Sequence, residues 1–286
     1  MDGEGTLLCF SGGLSSRAML WAALEPLRSA PQRLNTNTYT VLYVDEGRYA
    51  RGEIEAFLQS FGVDFVVRSL LESAPDENAS DRSADLRWHA KTRMFFQVAQ
   101  ELGCAKIYTA ENSTKTAIRI IEFTAKGRGY SLPFDVKRND SNSQTLHISL
   151  VRPLAEHTVK EVAFFCRFNG LLDRETGLHL KKHSFSLPNA SIAAVTEHFI
   201  MGLERDYSST VSTVSKTANK FTTPIIKATL ELGSVGGPRC RICDCLIPAG
   251  IAEWFLGTTV LDLESNKSCT LERHPEDLCY ACCMLV

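Results

Sequence analysis

The chain has 286 residues, of which 44% are hydrophobic and 22% are charged, and its formal net charge is −2 at pH 7. These values suit one α/β domain with a small appendage, and they exclude the global basic field of many nucleic-acid-binding proteins. No apolar run is long enough to span a bilayer, and the acidic start lacks the order of a signal peptide. We therefore expect a cytoplasmic protein without membrane contact.

The first predicted strand, residues 7–10, runs into the turn Ser11-Gly12-Gly13, and a helix with apolar residues at helical spacing follows. Glycine lets backbone N–H groups approach a phosphate, and the helix dipole favours the negative charge of that group. The stretch is therefore a candidate anion site, although an ordinary strand–helix turn has the same pattern.

Strands and helices then alternate along the first half of the chain. Strands are predicted at residues 40–44, 63–67, 106–109 and 148–151, and helices at residues 54–61, 86–102, 114–123 and 159–168. Polar residues 72–85 and 126–144 are predicted as loops. This alternation predicts a parallel sheet with ligands at its carboxyl edge, where the loops beginning at Ser11, Asp45, Ala110 and Arg152 open.

The second half of the chain is less regular. Residues 192–203 predict a helix, whereas residues 208–214, rich in hydroxyls and β-branched side chains, fit a strand, a cap or a binding loop. Residues 233–238 are typical of a linker. We predict three regions: an α/β domain over 1–205, a connecting segment over 206–237 and a cysteine-rich module over 238–286.

Seven of the ten cysteines lie between residues 240 and 283, and four of them form two Cys-x-x-Cys pairs. Two such pairs are typical of a tetrahedral, structural zinc site, here Cys240, Cys243, Cys279 and Cys282. Unmetallated buried cysteines and an iron–sulfur cluster are the alternatives. Cys245 and Cys283 leave the choice of ligands open.

Several blocks of the sequence resemble a known family. Ser11-Gly12-Gly13 with Ser15-Ser16 is similar to the Ser-Gly-Gly-x-Asp-Ser loop of the PP-loop ATP pyrophosphatases, except that Ser15 stands in place of Asp. Residues 44–47, 115–118 with 127–129, 151–154 with 157–164, 209–214, 238–240 and 278–282 resemble the second subunit of the cytosolic tRNA wobble-uridine 2-thiolation complex, the cytoplasmic tRNA 2-thiolation protein 2 family.

This resemblance implies an α/β fold, with a parallel-sheet PP-loop domain of the adenine nucleotide alpha hydrolase-like type and a small C-terminal Cys₄ zinc module. In that family the complex replaces the 2-oxygen of U34 with sulfur from a ubiquitin-like carrier, in the tRNAs for Lys, Gln and Glu. The catalytic subunit is a paralogous PP-loop protein. Catalytic relatives carry Cys-x-x-Cys in the helix before the fourth strand, where residues 87–93 contain no cysteine. The resemblance therefore implies a non-catalytic structural and tRNA-positioning subunit.

The candidate site residues fall into two further groups, and none is given a catalytic role. A degenerate nucleotide loop would comprise Ser11, Gly12, Gly13, Ser15, Ser16 and Asp45, but uncharged Ser15 weakens the expectation of ATP and Mg²⁺ there. The candidate tRNA contacts are Arg87, Lys91, Arg93, Lys115, Arg119 and Arg128, although a solvated surface has the same composition.

Two alternative functions and one surface complete the expectations. The chain could instead be a stand-alone ATP-dependent tRNA-modifying enzyme of the PP-loop class, or a zinc-ribbon RNA-binding protein. Phe164, Phe165 and Phe168 offer a candidate surface for the partner subunit, with core packing as the alternative.

Overall fold

Five parallel strands form the single sheet of the described chain. The computed structural model describes residues 5–29, 38–47, 49–70, 81–126, 132, 148–172, 191–218, 220, 238–243, 247, 277–279 and 282. The strands are β1 (Gly5–Phe10), β2 (Tyr39–Asp45), β3 (Asp64–Ser69), β4 (Cys104–Thr109) and β5 (Ser149–Val151). Their order in the sheet is β3-β2-β1-β4-β5. The predicted parallel α/β architecture is confirmed.

Helices connect and flank these strands. They are α1 (Leu14–Ser29), α2 (Arg51–Ser60), α3 (Asp81–Glu101), α4 (Ser113–Ala125), α5 (Val159–Phe168), α6 (Ile192–Asp206) and α7 (Thr210–Ala218). Residues 210–214 lie in helix α7, so the strand and binding-loop interpretations of residues 208–214 are wrong. Both α6 and α7 pack on α4. The division into three regions stays a prediction. None of the helices in the described part of the chain has the length and apolar character needed to cross a membrane.

The core lies on both faces of the sheet because side chains alternate along each strand. From β1, Leu8 and Phe10 pack with α1 and α2, whereas Leu7 and Cys9 pack with α3 on the other face. Both faces are buried, so β1 reads as an unbroken apolar run, as strands of a covered parallel sheet do.

The strand order places a topological switch point between β1 and β4. After β1 the chain continues into α1, which covers one face of the sheet. After β4 it continues into α4 on the other face. There α4 lies beside α3, and Trp88 of α3 contacts Phe123 of α4 edge-on. Connections that diverge in this way open a crevice at the carboxyl ends of the two strands, where open α/β sheets bind ligands.

Candidate functional site

The Ser-Gly-Gly turn lies at the β1 side of this crevice. Gly12 has a φ of 77°, a left-handed conformation that favours glycine. The Ser16 hydroxyl donates to the Gly13 carbonyl at 2.8 Å, and the Ser11 hydroxyl lies 3.4 Å from that of Ser16. Of the hydroxyl groups expected to hold a phosphate, those of Ser11 and Ser16 are therefore in contact within the turn and the start of α1.

Tyr49 and Arg17 close the space around Gly12. The Tyr49 hydroxyl donates to the Gly12 carbonyl at 3.2 Å, and Arg17 Nε donates to the same oxygen at 2.8 Å. A Cβ added at Gly12 would lie 2.5 Å from Tyr49 Cε2. Arg17, which is fully buried, also reaches the Leu171 carbonyl. The Tyr49 ring thus packs directly against the Gly12 backbone.

Ser15 lies at the point where this turn meets α4. Its hydroxyl accepts a hydrogen bond from Asn112 Nδ2 at 3.0 Å, and both residues are buried. Asn112 also caps α4, since its Oδ1 accepts from the Lys115 N–H at 2.8 Å. Ser15 therefore links α1 to the cap of α4.

The first turn of α4 is also covered by the segment that precedes α5. The Ser113 N–H donates to the His157 carbonyl at 2.9 Å, and the Val159 N–H donates to the Thr114 hydroxyl at 3.1 Å. The first bond occupies the Ser113 N–H, a donor that a helix N-terminus would offer to an anion, and in the second the Thr114 hydroxyl is the acceptor. The β4 side of the crevice is therefore built of contacts within the chain.

Asp45 shapes the turn after β2. Its Oδ1 accepts from the Gly47 N–H at 2.8 Å, and the next residue, Glu46, forms an ion pair of 2.6 Å with Lys91 of α3. Asp45 thus has a local structural contact at the carboxyl edge where the sequence predicts a nucleotide-loop carboxylate.

A charged network that the sequence analysis missed lies at the ends of β4 and β5. Glu111 pairs with Arg119 Nη1 at 2.5 Å and with Arg152 Nε at 2.7 Å. Arg119 also lies 4.5 Å from the centre of the Trp88 ring. Burial would raise the pKa of Glu111, but the two arginines, with help from Lys115, lower the pKa to about 2. Glu111 is therefore held as a carboxylate.

The candidate tRNA-binding residues lie on two helices. Arg87, Lys91 and Arg93 are on α3, Lys115 and Arg119 are on α4, and Arg128 lies outside the described residues. Lys91 pairs with Glu46, Arg119 pairs with Glu111, and Arg93 donates to backbone carbonyls near the cysteine module. These contacts give Lys91, Arg93 and Arg119 partners within the chain, and their contact with tRNA stays a prediction.

Three cysteines of the α/β region, Cys9, Cys104 and Cys166, are buried. Burial raises the pKa of Cys9, Cys104 and Cys166, and in Cys9 and Cys166 it outweighs the opposite effect of a nearby cation. Cys166 Sγ donates to the Leu14 carbonyl at 3.4 Å. These thiols are therefore protonated at neutral pH, and a protonated thiol is a poor nucleophile.

The four predicted metal ligands come together. The Sγ atoms of Cys240, Cys243, Cys279 and Cys282 all lie within 4.8 Å of one another, and every one of these residues is buried. The Arg241 N–H donates to the Asp277 carbonyl at 2.9 Å, which joins the two Cys-x-x-Cys segments. Cys245 and Cys283 lie outside the described residues.

The spacing of the sulfur atoms fits a single metal ion. Zn–S bonds of about 2.3 Å in a tetrahedron put the sulfurs roughly 3.8 Å apart, and Cys243 Sγ lies 3.5 Å from Cys279 Sγ. An iron–sulfur cluster places iron and sulfide atoms between the thiolates, so it needs a wider arrangement. The geometry therefore suits a mononuclear Cys₄ site.

Sheet order, crevice and strand–turn–helix arrangement together define a doubly wound, parallel α/β fold. The fold is similar to that of the U34-tRNA thiolase NcsA from Methanococcus maripaludis, solved with its [4Fe-4S] cluster, with a TM-score of 0.60 and 14% sequence identity. The match covers 91% of this chain and 83% of that one. At this level of identity the likeness shows the fold, and it confirms the predicted fold class.

Sequence comparisons find similarity to proteins that share one name. The model of "Cytoplasmic tRNA 2-thiolation protein 2" matches residues 191–284. The protein of that name from Bos taurus is 34% identical over 164 residues, which are 57% of this chain and 30% of the relative. The relative from Drosophila mojavensis is 26% identical over 235 residues, 77% of this chain and 56% of the relative. The chain thus matches only part of each relative's length, and the predicted resemblance is confirmed.

Proposed function

We propose that this chain is the non-catalytic, tRNA-positioning subunit of a heteromeric complex that 2-thiolates U34 of the cytosolic tRNAs for Lys, Gln and Glu. Its partners are a catalytic PP-loop paralogue and tRNA, and a ubiquitin-like carrier supplies sulfur to the complex. The names of the relatives support both the pathway and a cytoplasmic location.

The packing of Tyr49 on Gly12 is the observation that carries the non-catalytic role. Activation of a carbonyl oxygen by ATP needs a cradle for the leaving pyrophosphate and a counter-charge for it. Here the ring of Tyr49 covers Gly12, and Ser15 supplies a hydroxyl that is bonded to Asn112. Neither contact provides the counter-charge that ATP chemistry needs, so no step of the chemistry is assigned to this loop.

The state of the thiols supports the same role. Transfer of sulfur needs a nucleophilic thiolate that carries a persulfide. Cys9, Cys104 and Cys166 are buried, and their pKa values are raised by that burial. The cysteines described in the α/β region are thus suited to packing, and sulfur transfer falls to the partner subunit.

An exposed apolar face on α5 supports the need for a partner. Phe164 is 63% exposed and Phe168 is 84% exposed, one helical turn apart, whereas Phe165 packs edge-on against Trp21. Exposed apolar patches of this kind mark protein interaction sites. We assign the Phe164 and Phe168 side chains to contact with the paralogous subunit.

The cysteine cluster is proposed as a structural zinc site. Cys240, Cys243, Cys279 and Cys282 would hold the ion, and zinc supplies folding free energy to such closed sites. Metal analysis of freshly purified, reduced protein should find about one zinc per chain. Iron with inorganic sulfide in place of zinc would contradict this assignment.

Thiolation in cells tests the proposed function directly. In cells without this chain, mass spectrometry of tRNA should show loss of 2-thiouridine at the wobble position, and the wild-type chain should restore it. Isolated chain should give no Mg²⁺-dependent exchange between ATP and pyrophosphate. Exchange by the chain alone, or normal thiolation without it, refutes the proposal.

A pair of variants tests the partner surface. The double substitution Phe164→Asp with Phe168→Asp should abolish co-purification with the paralogue and leave the thermal unfolding midpoint near that of the wild type, since both side chains are exposed. The control Arg167→Ser, on the same exposed side of α5, should retain co-purification. Normal assembly of the double variant assigns the interface to another surface.

A further inference from the structure

Helix α3 contacts the first Cys-x-x-Cys segment at two places. Arg93 Nη2 donates to the carbonyl oxygens of Arg241 and Ile242, at 2.8 Å for the latter. These are the two residues between Cys240 and Cys243. Two turns earlier on the helix, Leu86 packs against the apolar cluster that surrounds the four cysteines. The helix and the metal module therefore share a continuous contact.

The same part of α3 also contacts the carboxyl edge of the sheet. Trp88 packs against Phe123 and lies under Arg119, and Lys91 pairs with Glu46 after β2. Residues 86–93 thus touch the cysteine module on one side and the charged groups of the crevice on the other. Movement of residues 86–93 would therefore disturb contacts with the cysteine module and with the crevice.

We infer that Arg93 is a clasp that couples metal binding in the cysteine cluster to the placement of α3 at the sheet edge. The inference rests on the proposed metal site. Residues 241–243 form a turn between Cys240 and Cys243, and this turn presents two successive carbonyls to one guanidinium. Nη2 carries two N–H groups, so this one nitrogen donates to both carbonyls.

Charge favours the same coupling. Four thiolates around Zn²⁺ carry a net charge of −2, and the guanidinium of Arg93 lies against the backbone that forms the site. Because coupling between two sites is reciprocal, an ordered clasp raises metal affinity as much as the metal stabilises the clasp. Arg93 therefore acts as a positioning residue for the module, and its loss should be visible without any tRNA.

Zinc affinity provides the first test. In the full chain, competition against a chromophoric chelator should show Arg93→Ala binding zinc several-fold more weakly than the wild type, since hydrogen bonds from a charged donor are lost at an exposed position where water replaces part of them. Arg93→Lys, which keeps the positive charge but replaces the guanidinium with an ammonium group, should give an intermediate value. Arg87 lies on the same helix and has no contact with residues 240–243 among the described residues. Arg87→Ala should therefore bind zinc as tightly as the wild type.

Hydrogen exchange provides the second test. Removal of zinc from the wild type should speed amide exchange in residues 86–93 of α3 as well as in residues 240–243. In Arg93→Ala, zinc should still slow amide exchange in residues 240–243 but should slow it little in α3. If Arg93→Ala does not fold, Arg93→Lys carries the same comparison.

The outcomes separate the clasp from the metal site. The clasp is overturned if both Arg93 variants bind zinc as tightly as Arg87→Ala does. It is also overturned if amide exchange in α3 of the wild type is the same with and without zinc. Either result leaves the proposed metal site intact. A wild-type chain that binds no zinc overturns both.

Discussion

Removal of the Glu111 charge should destabilise the fold strongly. Glu111→Gln keeps the shape of the side chain but leaves Arg119 and Arg152 around a neutral amide. The pKa of Glu111 falls from 4.5 to about 2 because the two arginines outweigh burial, which corresponds to roughly 3 kcal/mol of stabilisation at neutral pH. The Arg152 side chain is only 6% exposed, so water replaces little of the lost interaction.

The pH dependence follows from the direction of this shift. A carboxyl group whose pKa is lower in the folded state contributes stability above its unfolded pKa and loses it as the pH falls through the folded pKa. The contribution of Glu111 should therefore be complete above pH 5 and decline between about pH 4.5 and pH 2. The difference in stability between the wild type and Glu111→Gln should narrow over the same range.

Urea unfolding at several pH values measures this difference. At pH 7, Glu111→Gln should lose roughly 3 kcal/mol of unfolding free energy. A matched control is Glu55→Gln, which breaks an exposed pair with Arg51 on α2 and should cost less than about 0.5 kcal/mol. If Glu111→Gln unfolds at the same urea concentration as Glu55→Gln at pH 7, the network does not hold the strand ends together and the reasoning is wrong.

Three further changes should alter stability in defined ways. Gly12→Ala should lower the unfolding free energy by about 2 kcal/mol or more in chemical denaturation, because it strains a φ of 77° and meets the Tyr49 ring; an unchanged midpoint would mean that Tyr49 moves freely. Thr158→Ala should cost about 1 kcal/mol by the same assay, because it removes the capping box of α5 formed with Glu161; no loss would show that α5 is held by packing alone. Cys240→Ser should lower the stoichiometry of bound zinc and the melting temperature together; full zinc content would exclude Cys240 as a ligand.

The arrangement of strands and helices could be predicted because local patterns decide it. Unbroken apolar runs mark β1 and β2, and the predicted helix over residues 159–168 is α5 with the same bounds, since Thr158 and Glu161 form a capping box at its start. Residues 208–214 could not be assigned, because their hydroxyl and β-branched side chains favour other structures. Packing decides there: Val211 and Val214 face α4, and that burial outweighs local preference.

The contacts that define the site could not be predicted in the same way. Tyr49 reaches Gly12 from the β2–α2 loop, and Arg152 reaches Glu111 across neighbouring strand ends. Neither pair has a local signal, because each depends on how distant segments meet at the edge of the sheet. The cysteine ligands were predictable since their spacing is itself the signal of a metal site.

The two glycines of the turn separate a packing role from a phosphate-binding role. Gly12 is explained by its backbone conformation and by Tyr49, without any ligand. Gly13 is not: a Cβ there would meet only the Ser11 hydroxyl, at an ordinary 3.7 Å. A phosphate cradled by the turn would need close approach to the Gly13 backbone as well.

Gly13→Ala therefore tests whether the turn holds a ligand. If the turn serves packing alone, Gly13→Ala should unfold at the wild-type denaturant concentration or slightly higher, since alanine lowers the entropy of the unfolded chain. Thiolation by the reconstituted complex should then be unchanged. A large loss of thiolation with stability and assembly intact would show that the turn binds a phosphate, and the non-catalytic assignment of this subunit would fall.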